Sequence, residues 1–246
     1  MGTQICRGFT DVQWRILEKR LTRNGDVRSY EVADRTDWDC AIAVFQRRIQ
    51  ERFFSCIEAL ERSDVKRDVD VAPSAPADCS TLPQDAADAV VPGFAIVGLC
   101  CLLIETLASF AETDRNVIPT PTGPCNFPNG DCIRPQPPGG RRIREFLQRP
   151  CFGDAFIDDK VAKRFVHGVR DGIFHEAETR GWLIWREEPV DSIVGIENGQ
   201  YILNRTAFVK ALRHEFERYL ADLRESENSA LRKRFIKKMN DIVKAI

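Results

Sequence analysis

The feature that most constrains this fold is a long apolar stretch at residues 91–113. Its uninterrupted apolar run extends from Gly93 to Ile104, and Glu105 ends it. A membrane-spanning helix needs about 20 apolar residues, so this run is too short to span a bilayer. A helix that is apolar on every side has to be surrounded by other elements. The stretch therefore predicts the buried central helix of a helical bundle, and we expect no association with a membrane.

Helical patterns elsewhere supply the elements that would surround this core. Apolar residues recur at the spacing of one helix face in residues 11–23, 37–63, 205–223 and 229–246. In the last segment the lysines and arginines, including Arg232, lie opposite the apolar residues. Two strand-like segments, Trp182–Trp185 and Gln200–Leu203, flank Asn198-Gly199, a dipeptide typical of hairpin turns.

These patterns predict a mainly α, single-domain protein, an up-and-down helical bundle with a small β-hairpin. We place an N-terminal extension at residues 1–36, the bundle at residues 37–225 and a basic amphipathic helix at residues 226–246. Within the bundle we expect a proline-rich loop at residues 114–140, because proline and glycine are too frequent there for regular structure.

Composition places few limits on the partner. The 246 residues carry a net charge of −1, so any RNA contact must come from local patches. The nine cysteines are odd in number and contain no C-x2-C pair, so we predict no zinc site. We expect a reducing compartment, the cytoplasm, in which the cysteines within helical segments are small buried residues: Cys40, Cys56, Cys100 and Cys101.

Most of the candidate chemistry lies in residues 161–181, VAKRFVHGVRDGIFHEAETRG. We predict one helix here, because apolar residues recur at every fourth position and would face the core. A second row at the same spacing contains His167, Asp171 and His175, so Asp171 can contact either histidine. Arg170 and His175 are five residues apart, about 140° around an ideal helix. They can serve one site only through the length of the arginine, or with a group from another chain.

Two glycines, Gly168 and Gly172, lie inside this predicted helix. Each costs about 1 kcal/mol relative to alanine in a helix interior. Their four-residue spacing indicates that another element packs closely here, such as a partner helix. We therefore expect a homodimer whose interface includes this face.

The same stretch resembles the HEPN superfamily of RNA-cleaving and nucleotide-binding domains. Arg170, Asp171 and His175 match its R-x4-6-H motif, including the polar residue after the arginine. The string VRDGIFHEAET is similar to a prokaryotic branch that carries IR-x-G-(Ile/Leu)-x-HQAET before a β-hairpin, with Glu176 in place of the glutamine. The apolar helix with LIETL also resembles that branch, and the resemblance covers roughly residues 37–225. A toxin branch has a tyrosine two residues after the histidine, where nucleotidylation silences it; Ala177 occupies that position here.

The resemblance implies a metal-independent endoribonuclease without a cofactor. In such a reaction the RNA 2′-hydroxyl attacks the adjacent phosphate, and a histidine, which titrates near neutral pH, can remove its proton. We assign that role to His175 and stabilisation of the phosphate charge to Arg170. Asp171 would hold the His175 ring or position Arg170.

The resemblance also implies an assembly and a biological setting. It implies a homodimer with a composite active site, in which the second His175 supplies the leaving-group proton. It implies a 2′,3′-cyclic phosphate product and a role as a toxin or in anti-phage defence. A regulatory protein or antitoxin would then be a further partner.

Several other charged residues are candidates for supporting roles. Glu105 is either a paired structural acid on the apolar helix or a group that positions the Arg170/His175 site. Further candidates for positioning roles are His167, Glu176 and Glu178. The candidate RNA-binding residues, which follow the proline-rich loop, are Arg141, Arg142 and Arg144. A solvated basic face would have the same sequence.

Two other interpretations remain open. A metal ion could bind the row of His167, Asp171 and His175. However, eight residues span about 12 Å of helix axis, which is too far for both histidines to reach one ion. Alternatively, the chain is a non-catalytic scaffold that binds RNA, a nucleotide or a partner protein, as some members of the superfamily do. The presence of both Arg170 and His175 argues against a scaffold, which needs neither.

Overall fold

A computed structural model describes residues 3–23, 26–28, 30, 35–65, 92–111, 138–186, 192–225 and 227–245. Predictions for residues 66–91 and 112–137 lie outside these ranges, and with them most of the proline-rich loop. The described residues are mainly helical, as predicted.

The helices account for most of the described chain. They are α1 Asp11–Leu21, α2 Arg35–Ile49, α3 Ser55–Val65, α4 Gly93–Ala111, α5 Pro138–Leu147, α6 Asp159–Phe165, α7 Asp171–Glu176, α8 Arg205–Arg224 and α9 Ser229–Lys244. A 3-10 helix, Pro150–Phe156, precedes α6. Two wide helical turns, the first π-turn (Gln50–Phe54) and the second π-turn (Val166–Arg170), join α2 to α3 and α6 to α7. In a π-turn each hydrogen bond reaches back five residues instead of four.

Helix α4 lies at the centre of the core, because eleven of its 19 residues are buried. Its length and composition would allow it to cross a membrane, but most of the apolar window is covered by the other helices. Helices α1 and α9 belong to the same hydrophobic core, where the rings of Trp14 and Phe235 are 6.1 Å apart. The N-terminal extension and the C-terminal helix are therefore packed into the bundle as parts of one core.

Short strands complete the fold. They are β1 Gln4–Cys6, β2 Phe9–Thr10, β3 Thr22–Arg23, β4 Asp26–Val27, β5 Trp182–Trp185, β6 Val194–Glu197 and β7 Gln200–Asn204. The hairpin at Asn198-Gly199 joins β6 to β7, whereas β5 pairs with β7 in parallel. The predicted hairpin of β5 with β7 was wrong. The sequence pattern missed β6, the strand that precedes the turn, because β6 contains Gly195 and has a weak strand signal.

Three local predictions were also wrong. Pro138–Gly140 belong to α5 and not to the loop, since proline is tolerated in the first turn of a helix. Cys40 and Cys56 are exposed, although Cys100 and Cys101 are buried as expected. Arg232 is fully buried on α9; its Nη1 donates to the carbonyl oxygens of Leu223 (3.3 Å) and Glu225 (2.5 Å).

Candidate active site

The segment that contains Arg170 and His175 is a short helix with a π-turn before it. The backbone N–H of Asp171 donates to the carbonyl of Val166, five residues back. Helix α7 ends at Glu176, because Ala177 adopts a left-handed conformation (φ 57°). The predicted single helix over residues 161–181 is therefore shorter and interrupted. The extra residue in the π-turn rotates α7 relative to α6, so His167, Asp171 and His175 do not form one regular row.

The two glycines of this segment are covered by the chain's own return path. The backbone N–H of Arg180 donates to the carbonyl of Gly168 (3.0 Å), and that of Glu178 to the carbonyl of Gly172 (3.3 Å). A methyl group on Gly172 would overlap the carbonyl oxygen of Glu178, and one on Gly168 would lie 2.8 Å from the Trp182 ring. Close packing is present as expected, but its interpretation as a partner-helix contact was wrong.

Arg170 is held between two carboxylates. Its Nε and Nη2 donate to Oε1 of Glu105, at 2.9 and 2.5 Å, and its Nη1 donates to Oδ1 of Asp171 at 2.8 Å. The guanidinium also lies over the Phe174 ring, with its central carbon 5.4 Å from the ring centroid. The Arg170 side chain is 20% exposed, so it is fixed but reachable from solvent. The structure thus brings together Glu105, Arg170 and Asp171.

Charge at this cluster favours the ionised guanidinium. Burial alone would lower the pKa of Arg170, but hydrogen bonds and charges of Asp171 and Glu105 outweigh burial and raise it. One turn earlier on α4, burial raises the pKa of the Cys101 thiol to about 12; the positive charge of Arg170 opposes this shift, and Glu105 and Asp171 add to it. Cys101 is therefore a packed thiol beside the cluster and not a nucleophile.

His175 lies in the last turn of α7 with an exposed side chain. No hydrogen bond joins its ring to another residue in the part of the chain that the structure describes. Oδ1 of Asp171 accepts a hydrogen bond from Nη1 of Arg170, so of the two roles predicted for Asp171 the structure favours positioning of the arginine. Arg170 immediately precedes α7 and His175 lies in its last turn, and five residues of helix correspond to about 7.5 Å of axial rise.

His167 and Glu176 are linked through Arg180, a residue that the sequence pattern did not identify. Arg180 donates through Nε to Oε2 of Glu176 at 2.6 Å, and its Nη1 lies 3.2 Å from Nε2 of His167. The hydrogen bond from Arg180 lowers the pKa of the Glu176 carboxyl. The four-residue spacing of Glu176 and Arg180 is the signal that could have found the pair. Glu178 is exposed and contributes through its backbone, which caps α7.

The predicted basic patch is largely occupied by contacts within the chain. Arg144 is 17% exposed and donates to Asp159 at 3.1 Å, which joins α5 to α6. Arg141 lies 3.6 Å from Glu145 in the next turn of its own helix. Arg142 is half-buried. The charge of Arg144 is thus paired with Asp159, and an RNA-binding role for Arg141, Arg142 and Arg144 stays a prediction.

The metal-binding alternative has little geometric support. Asp171, which would have to bridge the two histidines, is paired with Arg170. Among the described residues no group of three or more His, Cys, Asp or Glu side chains is arranged to hold a metal ion.

The contact from Glu105 to Arg170 joins α4 to the segment that contains Arg170 and His175. The chain matches no protein-family model, no curated protein and no solved structure.

Proposed function

We propose that this chain is a metal-independent endoribonuclease whose catalytic residues are Arg170, His175 and Asp171. The observation that carries the proposal is a guanidinium fixed by two carboxylates on the same short segment as an exposed histidine. Of the five N–H groups of Arg170, three donate to Glu105 and Asp171, so two remain for phosphate oxygens. A pre-positioned cation of this kind stabilises charge that develops in a transition state.

The reaction follows from these roles. The His175 imidazole removes the proton of the 2′-hydroxyl, and that oxygen forms a bond to the neighbouring phosphorus. Arg170 donates to the non-bridging oxygens while their charge increases. The bond from phosphorus to the 5′-oxygen then breaks, the 5′-oxygen takes up a proton, and the products are a 2′,3′-cyclic phosphate and a free 5′-hydroxyl.

The assembly and setting are part of the same proposal. A single copy contributes one His175, so a second copy in a homodimer would supply the acid that protonates the 5′-oxygen. We place the protein in the cytoplasm, as a toxin or anti-phage effector under the control of a regulatory protein. The support for these points is the resemblance described above.

Cleavage of RNA by single-residue variants tests the function. His175→Ala should slow cleavage by about 10²–10⁴-fold, and Arg170→Ala by about 10²–10³-fold. The double variant should be little slower than either single variant, since groups that act together are not additive. His214→Ala is the matched control, because His214 is an exposed histidine on α8.

Two further experiments test the chemistry. Cleavage should continue in EDTA, and a 2′-deoxy substitution at the cut position should abolish it. The proposal would be overturned if the His175→Ala and Arg170→Ala variants both cleave RNA at the wild-type rate. Cleavage that EDTA abolishes would instead favour the metal-dependent alternative.

A non-catalytic scaffold is the second candidate, and one observation favours it. The cluster of Glu105, Arg170 and Asp171 is also what a structural ion pair between α4 and α7 would look like. A scaffold would bind RNA, a nucleotide or a partner protein without cleaving it. Its signature would be unchanged binding in the His175→Ala variant together with loss of thermal stability in the Arg170→Ala variant.

A further inference from the structure

A groove of about 450 Å³ lies between the first π-turn, the outer face of α4 and helix α9. Its volume is in the range of small-ligand sites, about 300–1,000 Å³. Three cations lie along it, Arg48, Arg52 and Lys238, and part of its apolar surface comes from Phe53 and Leu102. Leu102 is 42% exposed, which is unusual for a large apolar residue on the central helix.

The three cations of this groove form no ion pair with any described residue. No ion pair or hydrogen bond joins the side chain of Arg52 or Lys238 to another described residue. Arg48 is half-buried and donates to the carbonyl oxygen of Ile5 at 2.8 Å, which leaves its charge unpaired. Burial and then the nearby charge of Arg52 lower the pKa of Arg48. Cations that repel one another in a shared groove are stabilised by an anionic ligand.

The groove is continuous with the proposed active site through Glu105. This residue lines the groove and also accepts both hydrogen bonds from Nε and Nη2 of Arg170. The first π-turn contains Arg52 and Phe53, which line the groove, and the second π-turn ends at Arg170, which contacts Glu105. Wide turns of this kind often occur where a helix has to present side chains to a ligand.

From these features we infer that the groove holds the single-stranded RNA next to the phosphate bound by Arg170. Arg52 and Lys238 contact backbone phosphates, and the half-buried Phe53 ring offers a face for a base. A cationic groove with aromatic side chains is the usual way in which proteins bind single strands without reading their sequence. This inference rests on the proposed ribonuclease function and names the path of its substrate.

Binding of a non-cleavable RNA tests the inference separately from catalysis. The probe is a fluorescein-labelled oligonucleotide with 2′-O-methyl groups, titrated by anisotropy at a series of salt concentrations. Each lost phosphate contact reduces the slope of log K against log salt by about 0.7 for a single strand. Arg52→Ala/Lys238→Ala should therefore lower the slope by about 1.4 and weaken binding at low salt. The matched control, Arg62→Ala/Lys244→Ala, removes the same charge from exposed positions on α3 and α9 outside the groove.

The outcomes separate this inference from the function. An unchanged slope in the groove variant, or an equal fall in the control, would overturn the inference. A parallel titration with adenosine monophosphate distinguishes the source of the phosphate. If the groove variant loses binding of adenosine monophosphate but binds RNA as the wild type does, the groove is a site for a free nucleotide, and this would also overturn the inference. If the groove variant weakens RNA binding but the wild type does not cleave RNA, the groove is an RNA site and the ribonuclease proposal is wrong. If the wild type cleaves RNA but the salt slope is the same in the groove variant, the ribonuclease proposal stands and the groove inference is wrong.

Discussion

Glu105 is the residue at which the apolar core meets the proposed chemistry. It lies on the most apolar helix and is 29% exposed, and its carboxylate fixes Arg170 from a distance of 65 residues in sequence. A positioning residue acts through geometry, and a displacement of about 1 Å at a reacting group can cost roughly 10²-fold in rate.

Substitution of Glu105 should therefore slow cleavage without removing a catalytic group. We expect a loss of about 10²-fold in kcat for Glu105→Ala and a smaller loss for Glu105→Gln, which keeps an oxygen acceptor for Arg170. Because Glu105 would act on the reaction through its hydrogen bonds to Arg170, KM should change less than kcat. Glu58→Gln, which affects a separate pair with Arg213, is the control. Equal kcat in all three variants would show that Arg170 needs no support from α4.

Thiol reactivity should divide the cysteines by burial. Burial raises the pKa of Cys101 to about 12 and raises the pKa of Cys100 well above its ordinary value, so neither forms a thiolate near neutral pH. Cys40 and Cys56 are exposed. Iodoacetamide at pH 8 followed by mass spectrometry should therefore modify Cys40 and Cys56 and leave Cys100 and Cys101 unmodified until the protein is unfolded. Early modification of Cys101 would contradict the packing of α4.

At the scale of elements, the return of the chain over α7 explains the two glycines. Alanine at Gly172 would collide with the backbone of Glu178, which cannot move aside as a flexible side chain would. We expect Gly172→Ala to lower the free energy of unfolding by about 1–3 kcal/mol despite the better helix propensity of alanine. Gly98→Ala on α4 is the control, because its new methyl group would lie at an ordinary 3.5 Å from Ile173. Chemical denaturation measures both; a stable Gly172→Ala variant would contradict this packing.

A buried carboxylate joins the 3-10 helix to α8. Glu215 is 1% exposed and accepts hydrogen bonds from Arg149 at 2.5 Å and Arg218 at 2.8 Å. Burial alone would raise the pKa of Glu215, but the hydrogen bonds from Arg218, Arg149 and Cys151 outweigh burial and lower it below its ordinary value of 4.5. A lowered pKa means that the stabilisation is present above 4.5 and disappears as the pH falls through the folded-state pKa.

Substitution of Glu215 should reveal this pH dependence. We expect Glu215→Gln to be less stable than the wild type by about 2 kcal/mol at neutral pH, since it loses charge-assisted hydrogen bonds. The difference should narrow as the pH falls below 4.5, where the wild-type carboxyl becomes protonated. Urea denaturation at several pH values measures it. If the difference in the free energy of unfolding stays constant down to acid pH, packing and not charge accounts for the lower stability of Glu215→Gln.

The whole molecule depends on one core shared by its first and last helices. Phe235 on α9 packs edge-on against Trp14 of α1 and Phe45 of α2, with ring centroids 6.1 and 5.5 Å away. Phe235→Ala should lower the free energy of unfolding by about 3–5 kcal/mol, the usual effect of truncating a fully buried aromatic residue. Tryptophan fluorescence and circular dichroism should still report one transition. Ile16→Ala on α1, where Ile16 is 56% exposed, should change stability by less than about 0.5 kcal/mol. Two separate transitions would show that α1 and α9 unfold independently of the bundle.

Local periodicity was enough to predict α1, α8 and α9 and the central position of α4. Both follow from spacing and composition within a short window: eleven of the 19 residues of α4 are buried because a helix apolar on every side has no other stable environment. The turn at Asn198-Gly199 followed in the same way, because both residues require positive φ. The motif at Arg170 and His175 also came from the sequence alone, and its chemistry remains a prediction.

The partners of these residues depended on the tertiary structure. The sequence indicated close packing at Gly168 and Gly172 but not what packs there, and the neighbour is the chain's own segment at residues 178–182. It placed Arg232 on a basic surface, whereas the fold buries its guanidinium against carbonyl oxygens at the end of α8. A side-chain pattern records whether a residue is apolar or charged over one or two turns. It does not record which distant backbone or carboxylate will meet that residue, since that contact exists only once the helices are packed.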